Sequence, residues 1–337
     1  MDLNTIWFLL VGVLLAGYAI LDGFDLGVGA LHLLARKDEH RRILLNAIGP
    51  VWDGNEVWLV TGGGALFAAF PVVYATVFSG FYLAMILLLF ALIFRAVSIE
   101  FRGKRESPRW RNAWDAGFSV GSVAAALLLG VAFGNAIRGI PIDASGEYSG
   151  SFFTLLSPYA LLIGVTTVAL FTMHGALYLA LKTEGDLQAT ARRWARNAIL
   201  VFAICYVAAT VVTIVRVPRM WDGIAARPFL FAVPVLTLLA IACIPRAAFR
   251  GKDGRAFLAS CVVIAGLLAT AGIGMYPNLV AAADPARALT IRNAASSPKT
   301  LTIMLILAGI GMPLVLAYTI AVYRTFRGKV RLDSTSY

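Results

Sequence analysis

Long apolar runs recur along the whole chain and are separated by short polar connections. A helix needs about 20 apolar residues to cross a bilayer core about 30 Å thick. The runs are continuously apolar rather than alternating, which predicts helices rather than barrel strands. The chain is therefore predicted to be all-α, a single integral membrane domain over residues 1–337 with about nine transmembrane helices. The predicted spans lie near residues 6–31, 54–71, 75–98, 115–137, 155–181, 197–215, 229–244, 256–276 and 300–323.

The composition supports a membrane protein and argues against a soluble one. Of the 337 residues, 60% are hydrophobic and only 14% are charged, whereas soluble domains are about 25% charged. The longest polar connections, near 138–154 and 277–299, are too short to hold a separate core. The function is therefore predicted to be performed within the membrane or at its faces.

The distribution of basic residues predicts the orientation of the chain. With the spans above, the connections and tail on one side hold 21 of the 29 Lys and Arg residues, and those on the other side hold 7. The positive-inside rule then places the amino terminus outside and the carboxyl terminus in the cytoplasm. The net charge of +11 is explained by this asymmetry, with anionic lipid as the expected neighbour and no nucleic acid partner.

Two aspartates lie near the cytoplasmic end of the first predicted span. At 1.5 Å per residue from Ile6, Asp22 and Asp25 lie about 24 and 28 Å along the helix, and their spacing puts them on one helix face. Ionisable groups inside membranes usually mark ion paths or proton relays. The functional interpretation is a proton-accepting site. The alternative is that one aspartate reaches water or pairs with an arginine at the same membrane face.

A second polar group opens the second predicted span. Asp53, Asn55 and Glu56 lie at about the depth of the two aspartates and are flanked by Trp52 and Trp58. Polar groups from two helices at one depth can form a hydrated inlet for protons. The alternative is local, because an aspartate at the N-cap followed three residues later by glutamate resembles a capping box.

Arg95 and Glu100 end the third predicted span on the same cytoplasmic side. The arginine has two interpretations that the sequence does not separate. Its long side chain can extend to the membrane surface, or it can serve as the counter-charge of a buried aspartate.

Histidine is scarce, which bears on haem binding. The chain has three histidines, and His174 alone lies clearly within a predicted span. A haem held by two histidines from helices is therefore not expected in this chain. The structural interpretation of His174 is a buried side chain that is hydrogen-bonded to a neighbouring helix near Tyr178. A haem ligand is the weaker alternative, and no metal site is predicted.

Small residues at four-residue spacing predict close helix packing, either within the chain or with another subunit. The pairs are Gly23 and Gly27, Gly117 and Gly121, and Gly130 and Gly134.

Four segments in the first hundred residues resemble subunit II of the bd-type quinol oxidases of bacteria. They are residues 22–29 (DGFDLGVG), 52–58 (WDGNEVW), 62–71 (GGGALFAAFP) and 78–82 (FSGFY). Their order and spacing are specific, and the number of spans suits the whole chain. After about residue 190 the likeness is mainly one of hydropathy.

The resemblance implies two four-helix bundles plus one peripheral helix, packed against a haem-bearing subunit I in the bacterial cytoplasmic membrane. It implies that haems b and d belong to subunit I, and that subunit II supplies a scaffold and a proton path from the cytoplasm. A bound quinone or lipid in this chain, quinol as the substrate and small single-span accessory subunits are further implications.

Some residue roles are also implied by the resemblance. Asp53 matches the proton-inlet aspartate of the family, and Asp25 and Trp52 match positions implicated in activity or haem stability. Arg95 matches the arginine that ends the third span. Glu56 stands where bacterial relatives have glutamine.

Two other classes of function compete with a quinol oxidase subunit. A proton-coupled transporter would use membrane aspartates without a redox partner, but it predicts inverted repeats around a midplane site. The sequence shows no internal repeat, and the carboxylates lie off the midplane. A purely structural partner subunit would use the same acids in caps and ion pairs.

Overall fold

The computed structural model describes residues 2–225 and 227–332, most of which are helical. The helices are α1 (Leu3–His32), α2 (Asp38–Ile48), α3 (Trp52–Ala69), α4 (Pro71–Gly80), α5 (Tyr82–Phe101), α6 (Pro108–Arg138), α7 (Phe152–Leu155), α8 (Pro158–Lys182), α9 (Gly185–Arg216), α10 (Arg219–Ala225), α11 (Ala232–Phe249), α12 (Asp253–Met275) and α13 (Pro298–Thr325). Two short strands, β1 (Asn278–Val280) and β2 (Leu289–Thr290), pair antiparallel.

Eight of the described helices are long and apolar enough to cross a membrane, and the number rises to nine if α3 and α4 together form one broken span. The eight are α1, α5, α6, α8, α9, α11, α12 and α13. The predicted all-α class with about nine transmembrane helices is confirmed.

The chain turns sharply between α3 and α4. The two helices are bent by 120° at Phe70, and Pro71 begins α4 at a position where its missing N–H costs nothing. Ser296 caps the carboxyl end of α3 with two hydrogen bonds. Its N–H donates to the Ala69 carbonyl at 2.9 Å, and its hydroxyl donates to the Ala68 carbonyl at 2.7 Å. The span predicted over 75–98 as one helix is interrupted at Phe81, between α4 and α5.

The connections near 138–154 and 277–299 do not form a core of their own, but they share one. Ile140, Ile142, Val280 and Leu289 are buried in one cluster with Phe70 and other residues from the ends of α1, α3 and α4. The short β1–β2 pair and a bridge between residues 140 and 282 hold the two connections together. These loops therefore close one end of the helices.

The opposite end carries most of the basic residues, and we call it the basic face. It is formed by helix α2, by the connections 33–37, 49–51, 102–107, 183–184 and 250–252, by the helix ends beside them and by residues 326–332.

Helix α1 lies at the centre of the fold and contacts α3, α6, α8 and α12. Glycine permits the closest of these approaches. A Cβ atom added at Gly27 would lie 1.8 Å from the Phe171 carbonyl oxygen of α8, and one added at Gly175 would meet the backbone of Gly27 at 2.5 Å. Gly121 faces the Ala91 carbonyl in the same way. The predicted close packing through small residues is confirmed, and these contacts are internal.

A methyl group at Gly27 should therefore destabilise the protein. Gly27→Ala is expected to lower the free energy of unfolding by about 1–3 kcal/mol or more, because α1 and α8 must separate to admit the side chain. Thermal unfolding of the purified protein in detergent measures this. Gly12→Ala on the same helix is the control, since a Cβ there meets nothing within 4 Å. Equal melting temperatures for the two variants would contradict the close packing of α1 and α8.

Candidate functional site

Helices α1 and α5 bring together a buried ion pair. Asp22 and Arg95 are both fully buried. The two terminal nitrogens of Arg95 donate to the two carboxylate oxygens of Asp22, with Nη1 3.1 Å from Oδ2 and Nη2 bonded to Oδ1. This bidentate geometry is the strongest form of a carboxylate–arginine contact. Of the two interpretations of Arg95, the counter-charge is confirmed, and extension to the membrane surface is wrong.

Two further carboxylates face the same arginine. Arg95 Nη2 lies 3.9 Å from Asp25 Oδ2, and Nη1 lies 3.7 Å from Glu56 Oε2. The Trp52 ring lies 6.0 Å from the guanidinium carbon, within the range of a cation–π contact. Three carboxylates therefore surround one guanidinium, and a proton can neutralise part of the excess negative charge.

Asn55 links the carboxylates to the last helix. Its side chain is buried on α3, and its Nδ2 donates to Asp25 Oδ2 at 2.7 Å and to the Leu21 carbonyl at 3.1 Å. Its Oδ1 accepts a hydrogen bond from the Tyr323 hydroxyl of α13 at 2.9 Å. The sequence pattern included Asn55 among the polar residues of α3 but gave no sign of Tyr323.

Exposure decreases from α3 toward α1. Asp53 is exposed, the Glu56 side chain is 21% exposed, and the Asp25 side chain is fully buried. We call Asp22, Asp25, Asn55, Glu56 and Arg95 the carboxylate cluster. Asp53 stands one turn from Glu56, at the basic-face end of α3. The arrangement places acidic groups in series from the surface to the interior.

The capping interpretation of Asp53 and Glu56 is wrong. Helix α3 begins at Trp52, its N-cap is Val51, and no side chain makes a cap hydrogen bond there. The helix starts two residues earlier than a capping box at Asp53 requires, so Asp53 lies within the first turn. Asp53 is exposed there.

Glu100, also predicted as a supporting residue, lies exposed near the end of α5 and outside the carboxylate cluster.

Tyr18 was not predicted and lies deeper along α1. It is buried four residues before Asp22, on the same helix face. Its hydroxyl makes no hydrogen bond within the described part of the chain, and the same holds for Asp25 Oδ1 and Arg95 Nε. The sequence did contain a signal for Tyr18, because residues four apart, such as Tyr18 and Asp22, lie on one face of a helix. The polar region therefore extends one turn further into the membrane-spanning part of α1.

A second ion cluster near the basic face was also not predicted. Buried Asp115 of α6 accepts from His32 Nε2 at 2.6 Å, from Arg102 Nε at 2.5 Å and from Arg41 Nη1 at 2.9 Å. Arg102 also reaches Asp38 at 2.6 Å. The cluster joins the ends of α1, α2, α5 and α6. The signal in the sequence was Asp115, an acidic residue at the start of an apolar run and beside an arginine-rich connection.

The surroundings of His174 do not fit a haem. Its Nδ1 lies 2.7 Å from Ser260 Oγ on α12, and its Nε2 lies 3.0 Å from the Ile20 carbonyl of α1. The ring stacks on Phe257 with centroids 4.7 Å apart. Both nitrogens are occupied within the chain, which favours the structural interpretation of this histidine. Tyr178 lies nearby, but its hydroxyl donates to the Ala47 carbonyl instead.

No group of three or more His, Cys, Asp or Glu suited to a metal occurs among residues 2–225 and 227–332.

Comparisons with known proteins agree with the segments that carry the resemblance. The family model described as cytochrome bd terminal oxidase subunit II matches residues 3–326. The chain is 41% identical to cytochrome bd-I ubiquinol oxidase subunit 2 of Escherichia coli, over 97% of this chain and 95% of the relative. It is 38% identical to cytochrome bd ubiquinol oxidase subunit 2 of Bacillus subtilis, over 98% and 97%.

A solved structure has the same fold. The bd oxidase structure from Geobacillus thermodenitrificans matches with a TM-score of 0.81 at 18% identity, over 97% of this chain and 99% of that chain.

Removing the central arginine should destabilise the protein strongly. Arg95→Met is expected to lower the free energy of unfolding by about 3–5 kcal/mol, because it leaves buried carboxylates without a counter-charge. Adding Asp22→Asn to that variant should restore part of the loss. Denaturant unfolding of the purified protein measures both.

The matched control is Arg111→Met. Arg111 pairs with Asp38 at 3.2 Å, and both side chains are partly exposed, so the expected loss is below about 1 kcal/mol. A similar loss for the two arginine variants would show that Arg95 does not neutralise the cluster.

Proposed function

The chain belongs to the cytochrome bd terminal oxidase subunit II family, and we propose that its own contribution to the oxidase is a proton path from the cytoplasm. As a family member it is a subunit of a respiratory quinol oxidase, which transfers electrons from quinol to dioxygen. It is a multi-pass protein of the bacterial cytoplasmic membrane. The activity belongs to the assembled complex.

We assign haems b and d to the partner, subunit I, and none to this chain. The support is the donor set: of three histidines, His174 has both ring nitrogens occupied and His32 is paired with Asp115. When bound in subunit I, the haems supply electron transfer and oxygen reduction. We also propose four further partners. They are a quinone or lipid bound to this chain, quinol as the substrate, the surrounding membrane lipids and small accessory subunits.

The series of carboxylates is the observation that carries the proton path. Reduction of dioxygen to water consumes protons, and taking them from one side of the membrane charges it. Asp53 collects protons at the surface, Glu56 lies between surface and interior, and Asp25 accepts them beside the Asp22–Arg95 pair. Arg95 keeps the buried acids in place and offsets part of their charge.

A purely structural role for these acids is the main competing proposal, because the Asp22–Arg95 pair alone would join α1 to α5. A structural role does not account for the exposed Asp53 or for the excess of carboxylates over cations. A proton-coupled transporter has no specific support in the structure. Oxygen uptake by the Asp53→Asn variant distinguishes a proton path from a purely structural role.

We further propose that the helices form a single domain with nine crossings. The contacts that support two four-helix bundles are those of α1 with α3 and α6 and of α5 with α6 in one, and those of α8 and α11 with α9 and α12 in the other. Helices α1 and α6 also contact α8 and so join the two groups. Helix α13, which contacts α1 and α3, is then peripheral. The concentration of Lys and Arg at the basic face supports its placement in the cytoplasm, with the amino terminus outside.

Loss of the surface carboxylate should slow proton delivery. Asp53→Asn is expected to reduce the quinol-driven oxygen uptake of the purified oxidase by about tenfold or more, since a positioned proton donor contributes factors of about 10²–10⁴. The haem absorption spectrum should be unchanged. Asp186→Asn, another exposed aspartate at the basic face, should have no effect. Unchanged uptake in Asp53→Asn would remove Asp53 from the path.

Chemical labelling of cysteines tests the proposed orientation. In a chain whose native cysteines are replaced by alanine, Ser145→Cys lies in an exposed loop opposite the basic face, and Ser107→Cys lies at the basic face. A membrane-impermeant maleimide should label Ser145→Cys in intact spheroplasts and Ser107→Cys only after permeabilisation. The reverse pattern would invert the topology. The replaced native residues are Cys205, Cys243 and Cys261.

A further inference from the structure

Helix α13 contributes one polar side chain to the carboxylate cluster. Most residues of α13 are exposed on the surface of the chain, and Tyr318 is 66% exposed. Tyr323 is half-buried and points the other way, with its hydroxyl 2.9 Å from Asn55 Oδ1. The Tyr323 phenol therefore lies away from the exposed side of the helix and meets a buried amide.

This contact holds the Asn55 amide at its oxygen end. An asparagine amide has one acceptor and one donor end. The Asp25 carboxylate (2.7 Å) and the Leu21 carbonyl (3.1 Å) both accept from Nδ2 and so set the direction of the amide. The Tyr323 hydroxyl donates to the opposite end, Oδ1, at 2.9 Å. The tyrosine thus holds in place the amide whose Nδ2 donates to Asp25.

The end of α13 is tied down by the chain that follows it. The Val330 N–H donates to the Lys182 carbonyl at 2.8 Å, and Lys182 Nζ donates to the Phe326 carbonyl at 2.6 Å. Lys329 Nζ donates to the Leu181 carbonyl at 2.8 Å. These bonds hold residues 326–330 against the end of α8. The segment that follows Tyr323 is therefore anchored to the end of α8.

We propose that Tyr323 is a positioning residue for proton transfer through the carboxylate cluster. It acts through Asn55, whose side chain it holds in place so that Asp25 keeps a fixed geometry while it gains and loses a proton. The ionisable groups that face this contact are Asp22 and Asp25 of α1, Glu56 of α3, Arg95 of α5 and Tyr178 of α8. The inference rests on the proposed function, in which Asp25 relays protons.

The test is turnover of the complete oxidase carrying Tyr323→Phe, normalised to its haem content so that incomplete assembly does not count as slow turnover. The kcat for oxygen uptake should fall about two- to tenfold, the factor that one hydrogen bond of ordinary strength represents. The KM for quinol should not change. The solvent deuterium isotope effect on kcat should increase, because proton delivery becomes the slow step.

Two comparisons keep the result specific. Tyr318→Phe removes an exposed phenol from the same helix and should match the wild type in all three quantities. Asn55→Leu should slow turnover, and adding Tyr323→Phe to it should cause no further loss, because the tyrosine acts only through the amide. Independent, multiplicative effects of the two changes would overturn the inference, as would an unchanged isotope effect in Tyr323→Phe.

Asp25→Asn, measured alongside, distinguishes the two proposals. Slow turnover in Asp25→Asn with wild-type behaviour in Tyr323→Phe overturns the role of Tyr323 and leaves the proton path standing. Wild-type turnover in Asp25→Asn overturns the relay itself, and the role of Tyr323 with it. Slow turnover in both, with the larger isotope effect, supports both proposals.

Discussion

The buried guanidinium of Arg95 is the interaction on which the arrangement of α1, α3 and α5 depends. Removing a charge from water is costly, and partners must be close and well aligned to offset that cost. Asp22 supplies two hydrogen bonds, while Asp25 and Glu56 stand within 4 Å. None of these groups is stable in the interior alone. The three helices therefore have to meet at one depth.

That requirement explains the small residues around the cluster. Polar side chains on α1 reach α5 and α3 only if α1 also packs closely on its other sides. Gly27 and Gly175 bring the backbones of α1 and α8 into contact, and Gly121 does the same between α6 and α5. The ion cluster around Asp115 then fixes the ends of α1, α5 and α6. Helix packing and electrostatics thus depend on each other.

Hydropathy predicted the helices well because the membrane imposes a length and a composition on each crossing. It placed a boundary between residues 71 and 75, close to the turn at Phe70, but it could not predict the interruption at Phe81, which does not change the apolar character of the run. The depth of Asp22 and Asp25 followed from counting residues along one helix. Their partner Arg95 was only one of two alternatives, because the sequence separates Asp22 from Arg95 by 73 residues and gives no direction for either side chain.

The misassigned cap shows a second limit. Asp53 and Glu56 have the spacing of a capping box, but a two-residue difference in where α3 begins turns a cap into an exposed carboxylate. Contacts between distant segments could not be predicted either, because the sequence does not show in which direction a side chain points. Asn55 and Tyr323 are 268 residues apart, and His32 and Asp115 are 83 apart. Local patterns identify which residues are unusual, and only packing decides what they contact.

A series of acids with decreasing exposure has a physical consequence that an isolated buried pair lacks. Asp53 is exposed, whereas Asp25 is enclosed and linked to α13 through Asn55 and Tyr323. On the proposed path, a proton that moves inward along this series exchanges hydration for fixed dipoles and the field of Arg95. Since the carboxylates outnumber the cations, the cluster has room for such a proton without breaking the Asp22–Arg95 pair. The excess of carboxylates over cations is therefore the feature of the cluster on which the proposed path depends.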